Sequence, residues 1–416
     1  MQDMKGVRER KVKWLTGTAS ILLYLMLAIN WNGLALAQEK PFKIGHVGGF
    51  TGPWAILNVH SQIGIKLAIE EINETGGFLG RKIEYYPRDG KGRPDVSLSE
   101  ARDLVLNQGV DVLMGPFNGA AALAVSSIAK EFKTPCFALT GTFVTGKEGH
   151  RYLFHITMSS DHIGFSLGEY LSGKPWKRYY TVGTDYVFAH EVIGYAWKRL
   201  TDKKPDVRKV GELWPRVGER DYTTFITAIS SANPEAVISV LPGTMGIDFR
   251  RQAKGFGFFE KTQYVAIPMS TSDIVPLGKE TPSGIVGLAD YFFPYCGETY
   301  PLASKTEEKY NKNNNDYDYT CVASGYNQMV FLREAIKKAG STDKEKIIDA
   351  AEGLEVETTV GRVKCLKYSH RGTVPVFIGT TTYNAKYPFA IFKDVKSYRG
   401  EGFMLPEEEI RKMRGE

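Results

Sequence analysis

Cysteine is scarce in this sequence and never closely paired: Cys136, Cys296, Cys321 and Cys365 are four in 416 residues, with no C-x-x-C among them. That spacing excludes a structural zinc site and a disulfide-dense scaffold. Catalytic punctuation is missing as well. H-E-x-x-H does not occur, which removes the signature of zinc peptidases, and Gly164-Phe-Ser-Leu-Gly168 has the letters of G-x-S-x-G but lies inside the helix-patterned run Ile163 to Leu171, not on the strand-to-helix turn that a nucleophile elbow needs. Charge of one sign is also in short supply, because 53 Lys and Arg stand against 47 Asp and Glu and are scattered along the chain. Such a surface argues against nucleic acid as a partner. Beyond residue 37 no apolar run reaches the ~18 residues that span a membrane.

What is present begins with a leader. Lys5, Arg8, Arg10, Lys11 and Lys13 form a basic region, Leu15 to Ile29 an apolar one, and Ala35-Leu36-Ala37 a small-residue cleavage pattern. This predicts a cleavable secretory signal peptide over residues 1–37 and a periplasmic destination. An uncleaved membrane anchor is the rival, but Thr16, Gly17, Thr18 and Ser20 interrupt the apolar run. Without the leader's five basic and two acidic residues the formal charge falls from +6 to about +3. The remainder is long enough for two ordinary domains. An oxidising compartment permits disulfides. Cys136, within the apolar run Thr134 to Leu139, is expected as a buried thiol, and one bridge among Cys296, Cys321 and Cys365 is expected with its pairing open.

From Phe42 the pattern alternates strand and helix. Lys43 to Val47 is a strand, Gly48 to Trp54 a Gly-rich loop, and Ile63 to Asn73 an amphipathic helix stopped by Gly76-Gly77. Lys82 to Tyr86, Ser97 to Asn107, Val110 to Met114 and Cys136 to Leu139 continue the series. A second series runs from Ile163 to Ile267, with strands at Tyr179 to Gly183, Val210 to Trp214 and Ala236 to Val240. Repeated units of this kind imply parallel sheets with right-handed crossovers. Afterwards come an apolar strand at Ile285 to Phe293, a polar loop at Asn311 to Asp316, a long helix at Ala323 to Ala339 and short strands at Val374 to Ile378 and Phe389 to Phe392.

The turn from Pro116 to Ala120 stands between the strand at Val110 and an Ala-rich helix. Such a turn presents unpaired helix N–H groups at the carboxyl edge of a sheet, where an anion can be held without a charged side chain. The bland alternative is a tight connection with no ligand. Gly141-Thr-Phe-Val-Thr-Gly-Lys147 approaches a phosphate loop, but Glu148 replaces the hydroxyl that magnesium needs and Gly149 interrupts the helix that should follow. The seven His are dispersed, with His46 and His60 near the proposed cleft and His155 and His162 near a crossover; each reads first as polar packing. The sequon Asn73-Glu-Thr75 reads as a helix end.

Thr51-Gly-Pro-Trp-Ala55, Leu67-Ala-Ile-Glu-Glu-Ile-Asn73 with Gly76-Gly77 and Gly80-Arg81, Asp89 followed by Pro94, Val112-Leu-Met-Gly-Pro116 and Arg251-Gln-Ala-Lys-Gly255 occur in order. Together they resemble the type I periplasmic solute-binding proteins of the branched-chain amino acid (Leu/Ile/Val) ABC transporters. The resemblance implies a two-lobed α/β fold, each lobe an open doubly wound parallel sheet with helices on both faces, joined by a three-crossover hinge. Lobe 1 would hold residues 38–157 and 286–372, and lobe 2 residues 158–285 and 373–416. It also implies no enzymatic activity, no cofactor and no metal. The implied partners are a small-molecule ligand and an ABC permease and ATPase complex in the inner membrane, with the chain itself a monomer.

The resemblance places ligand-carboxylate donors at Asn118, Gly119 and Ala120 and at Thr140, Gly141 and Thr142. It places Trp54 over the ligand from one lobe and Tyr186 and Phe188 from the other, although Ala189 stands where a Gly usually follows. Members that bind α-amino acids carry an acid after the strand that here ends at Ile267. This chain has Pro268-Met269-Ser270-Thr271-Ser272 instead, with Asp273 the first acid. A buried ammonium without a partner costs several kcal/mol. The ligand is therefore expected to be a carboxylate-bearing or polar solute, aromatic or aliphatic, without a paired α-amino group, with Met269 helping to form an apolar pocket. Asp185 or Asp273 remains able to supply the acid, which keeps a conventional branched-chain amino acid receptor open. A module that senses a ligand and regulates a partner protein is the other alternative; the leader and the absence of a helix-turn-helix pattern favour transport.

Overall fold

Short apolar runs closed by glycine or proline form the strands, and runs of helical period form the helices between them. The structure, a computed structural model, describes residues 40–416 apart from 53, 315, 316 and 318. The leader expected over residues 1–37 lies outside the described residues.

The first set of elements is β1 (Phe42–Gly48), α1 (Ala55–Glu74), β2 (Ile83–Asp89), α2 (Pro94–Leu106), β3 (Val112–Gly115), α3 (Gly119–Glu131), β4 (Cys136–Ala138) and β5 (Leu153–Phe154). Its strands lie in the order β2-β1-β3-β4-β5 and all pairings are parallel. Ile44, for example, sits opposite Tyr85 on one side and Val112 on the other. The second set is α4 (Ser160–Ser172), β6 (Arg178–Gly183), α5 (Val187–Lys203), β7 (Arg208–Leu213), α6 (Thr223–Ser231), β8 (Ala236–Val240), α7 (Thr244–Gly255), β9 (Gln263–Ala266), α8 (Thr271–Ile274) and β10 (Val286–Ala289). The chain continues as α9 (Tyr295–Thr299), α10 (Pro301–Asn314), α11 (Tyr319–Ala339), α12 (Lys344–Ala351), β11 (Glu355–Thr358), β12 (Gly361–Leu366), β13 (Arg371–Gly372), β14 (Val376–Thr382), β15 (Ile391–Tyr398) and α13 (Glu407–Arg414). The larger sheet has the order β15-β14-β10-β9-β8-β6-β7, and β11-β12-β13 form a small third sheet.

Several expectations need adjustment. The larger sheet is mixed, because β14 runs antiparallel to both β10 and β15. β10 pairs with β9 inside that sheet, so the chain leaves it after Ala289 rather than before residue 286. The polar stretch at Asn311 is helical as far as Asn314, since α10 turns Ala303, Thr306 and Tyr310 inward on one face. No disulfide joins any of the four cysteines, contrary to the bridge expected among Cys296, Cys321 and Cys365. Each thiol is buried in a separate element or core contact, and burial lifts Cys136 to about 12.

Close backbone approach explains two glycine placements. Gly77 has φ +84°, and a Cβ there would collide with the Arg81 carbonyl, so the pair Gly76-Gly77 ends α1 and folds the chain back toward β2. Gly64 on α1 and Gly325 on α11 face each other's helix backbone closely enough that neither tolerates a side chain. α11 is thereby locked to the first set of elements while its start, at Thr320, reaches the second through Thr271.

The chain passes between the two main sheets after β5, after β10 and between β13 and β14. The first and third passages lie side by side, with His155 bridged to Arg371. A buried ion pair fastens them, Arg371 Nη1 to Asp161 Oδ2 at 2.5 Å. Burial alone would raise the Asp161 carboxyl, but the Arg371 guanidinium, the Leu405 N–H and the Ser159 hydroxyl hold it below its usual range. Among the described residues no helix is long and apolar enough to cross a membrane.

Candidate functional site

In an open α/β sheet, loops on either side of a point where strand order reverses diverge and leave a crevice beyond the carboxyl ends of the strands. The smaller sheet reverses at β1 and β3, the larger at β6 and β8. Both crevices open on one cavity of about 110 Å³. Its walls are the loop after β1 (Trp54, with Ile56 and Leu57 of α1), Phe117 after β3 and Thr140 to Thr142 after β4. From the larger sheet come Tyr186 and Phe188 after β6, Pro242 to Thr244 after β8, Ser270 to Asp273 after β9, and Ala289 and Asp290 at the end of β10. Engineered cavities of about 150 Å³ admit benzene, so the space suits one ring with small substituents.

Aromatic side chains meet across the cleft. The Trp54 ring lies 5.6 Å from Tyr186, and Tyr186 lies 5.9 Å from Phe188. Phe188 in turn covers Gly141, where a Cβ would stand 2.9 Å from the Phe188 ring. Trp54 and Phe188 are buried, and Trp54 is held in place by the loop at Gly92, whose own Cβ position would fall 3.0 Å from the indole.

The turn after β4 is pinned from the first passage between the sheets. His155 Nε2–H donates to the Thr140 carbonyl at 2.5 Å and Thr157 Oγ1–H donates to the same oxygen at 3.0 Å. Burial pushes His155 down to about 4, so the ring is neutral and able to act as this donor. The Thr142 N–H is used within the turn, on Thr140 Oγ1 at 3.1 Å. The N–H groups of Thr140 and Gly141 have no acceptor among the described residues.

Six of the ten residues expected at the site line this cavity together: Trp54, Thr140, Gly141, Thr142, Tyr186 and Phe188. Asn118, Gly119 and Ala120 do not. Asn118 caps α3 by accepting from the Ala121 N–H at 3.0 Å, and Thr142 packs on Gly119 so closely that a Cβ there would collide with it. Phe117 presents its ring in their place. Met269 is fully buried, with its N–H bonded to the Leu288 carbonyl at 2.8 Å, and faces the core instead of the cavity. His46 is likewise a core residue, paired with the Tyr85 hydroxyl at 2.6 Å.

The acids fall differently from expectation. Asp185 is exposed and 2.8 Å from His190, outside the cavity lining. Asp273 lines the cavity, but it is bound to the buried Arg250 at 3.3 Å and caps α8 through the Ser270 N–H at 3.1 Å. Asp290, which sequence reasoning missed, lines the cavity without such a partner. It accepts one long bond from Ser324 Oγ at 3.3 Å and another from its own N–H, and burial lifts it to about 6. The apolar run Ile285 to Phe293 gave no sign that its one acid would emerge at the strand's end, facing the crevice. Among the described residues no Lys, Arg or His lines the cavity, and no group of three or more His, Cys, Asp or Glu is arranged to hold a metal ion.

Two α/β sheets with a cavity between their carboxyl edges, crossed three times by the chain, define a two-lobed binding protein. Residues 41–386 match the family profile described as Periplasmic binding protein, and the chain belongs to that family, whose members bind solutes and are not enzymes. A similar curated protein is the leucine-, isoleucine-, valine-, threonine- and alanine-binding protein of Pseudomonas aeruginosa, 23% identical over 358 residues, covering 84% of this chain and 91% of that one. Among solved structures, a solute-binding protein of an ABC transporter from Rhodopseudomonas palustris in complex with 3,4-dihydroxybenzoic acid superposes with a TM-score of 0.77 at 21% identity, covering 86% of this chain and 98% of that one. Another from R. palustris, in complex with benzoate, gives 0.74 at 17% identity over 86% and 95% of the two chains.

Proposed function

We propose that this chain captures a small carboxylate-bearing solute with a compact aromatic or apolar body and delivers it to an ABC permease and ATPase complex in the inner membrane. The observation that carries the reading is the cavity lining: rings from both sides, no lining cation, and two open N–H groups at Thr140 and Gly141. A carboxylate placed on those N–H groups gains roughly 1.5–3 kcal/mol per charge-assisted bond. Trp54, Tyr186 and Phe188 then sandwich the body of the ligand. The benzoate and dihydroxybenzoate bound by the related structures support a ligand of this class.

In this reading residues 1–37 export the chain to the periplasm, where it works as a monomer. Lobe 1 comprises residues 38–157 and 290–372 and lobe 2 residues 158–289, which include β10, and 373–416, and the lobes close on the ligand about the hinge. Asn118 to Ala120 support the carboxylate turn through Thr142 instead of binding the ligand themselves. A branched-chain amino acid receptor is the second reading, favoured by Asp290, which offers an ammonium a partner. Calorimetric titration of the mature protein with benzoate-type acids and with leucine separates the two. Heat of binding and thermal stabilisation by the aromatic acids, with none from leucine, is the expected result; at 100 times its dissociation constant a ligand adds about 2.7 kcal/mol of stability. Tight leucine binding without a response to the acids overturns the proposal.

A further inference from the structure

Among the described residues, Asp290 is the one acid in the cavity lining without a cationic partner. Asp273, the other, is joined to Arg250, and the lining itself contains no Lys, Arg or His. Asp290 stands where β10 ends and the second passage between the sheets begins, and it faces Thr320 and Ser324 on α11. Behind it is a second cavity of about 10 Å³, bounded by Ile156, Asn327, Val360 and Val374. That space is water-sized at most. Both hydroxyls beside the carboxyl also have carbonyl acceptors: Ser324 donates to the Thr320 carbonyl at 3.2 Å and Thr320 to the Tyr291 carbonyl at 3.4 Å. The protein therefore leaves Asp290 poorly supplied with donors at a position that opens on the ligand. Leaving a buried polar group short of partners is unfavourable, and a bound molecule that supplies the missing donor relieves it.

We propose that Asp290 reads a hydrogen-bond donor on the ligand, so that the cleft selects a ring acid carrying a hydroxyl over the same acid without one. This rests on the reading of the cleft as a site for small carboxylates. The carboxylate end is held by the turn at Thr140 and Gly141, the ring lies among Trp54, Tyr186 and Phe188, and the hydroxyl donates to Asp290. A protonated Asp290 keeps the contact by donating to the hydroxyl oxygen instead. An ammonium group supplies the same donor chemistry, and the test distinguishes the two sources.

The test is calorimetric titration of wild type, Asp290→Ala and Asp290→Asn with benzoate, with its ortho, meta and para hydroxy derivatives, and with leucine. Wild type is expected to prefer at least one hydroxy acid over benzoate by about tenfold or more, and Asp290→Ala to reduce that preference to within about twofold. Asp290→Asn retains shape and an acceptor oxygen and falls between them, which guards against a folding defect in the alanine variant. Because the readout is a ratio of two affinities in one protein, a general loss of stability does not move it. A preference that survives in both variants, or benzoate bound as tightly as every hydroxy acid, overturns the inference while the small-acid reading stands. Leucine binding that is lost in Asp290→Ala supports the donor role with an ammonium as its source and overturns the small-acid reading. Failure of wild type to bind any of these ligands overturns both.

Discussion

At Gly141 the absence of a side chain does two things. It leaves an N–H open beside the cavity, and it lets the Phe188 ring approach to where a Cβ would stand only 2.9 Å away. Adding that one carbon forces Phe188 aside, and overpacking of this kind costs typically 1–3 kcal/mol. Gly141→Ala is therefore expected to weaken binding of the preferred acid about tenfold or more and to lower the unfolding midpoint of the ligand-free protein by what a cost of about 1–3 kcal/mol produces. Titration calorimetry beside thermal unfolding checks this; unaltered affinity would show that Phe188 does not close on the turn. The residue scale is also where sequence reading fell short. Asn118 and Gly119 have the right types for an anion turn, but Asn118 caps α3 and Thr142, distant by two elements, packs on Gly119. Asp290 carried no local signal, since its significance comes from facing a cavity that other segments build.

Among elements, the first and third passages between the sheets are tied to each other. The first presents His155 and Thr157 to the turn after β4, and the third presents Arg371 to Asp161. Arg371 also donates to the Leu405 carbonyl at 3.0 Å and lies over the Phe143 ring at 4.5 Å, tying the chain's last segment and the ligand turn to the same point. Removing one partner of a buried pair leaves an uncompensated charge and costs about 3–5 kcal/mol. Arg371→Met is expected to lower stability by about that amount, and Arg371→Met with Asp161→Leu to recover much of it, as measured by urea unfolding. A double variant no more stable than the single one would contradict the pairwise account. Strands and helices of the first two sets were legible because their apolar residues repeat with clear periods. The small sheet β11-β12-β13 and helix α10 were not, because the former alternates over only four residues and the latter is polar except along one face.

For the whole molecule, the buried acids set how stability depends on pH. Burial raises Asp290 from 3.8 to about 6 and Glu307 from 4.5 to about 7, so the folded protein holds protons that the unfolded chain has released. Stability is therefore highest with respect to these groups below about pH 4 and declines as pH rises through 6 and 7. Asp161 acts in the opposite sense, losing its contribution as pH falls through its lowered value. For Asp290 the shift from 3.8 to about 6 corresponds to about 3 kcal/mol. Asp290→Asn is expected to be more stable than wild type at pH 8 by up to about that amount and to lose the advantage near pH 4. Chemical unfolding at the two pH values checks it, and equal stability at pH 8 would mean that the carboxyl is better solvated or paired than its surroundings indicate.

The family and the alternation of strands and helices were both determined by the sequence by itself. Each depends on residues close together in the chain, where periodicity and turn chemistry act. Tertiary structure alone decided which turn opens on the cavity, which acid faces it and how the passages between the sheets are tied. Those outcomes depend on contacts such as Thr142 on Gly119, Ser324 on Asp290 and Arg371 on Asp161, the last of them spanning more than 200 residues. Only packing brings such partners together, and burial then gives one carboxyl an arginine and leaves the other facing the cavity.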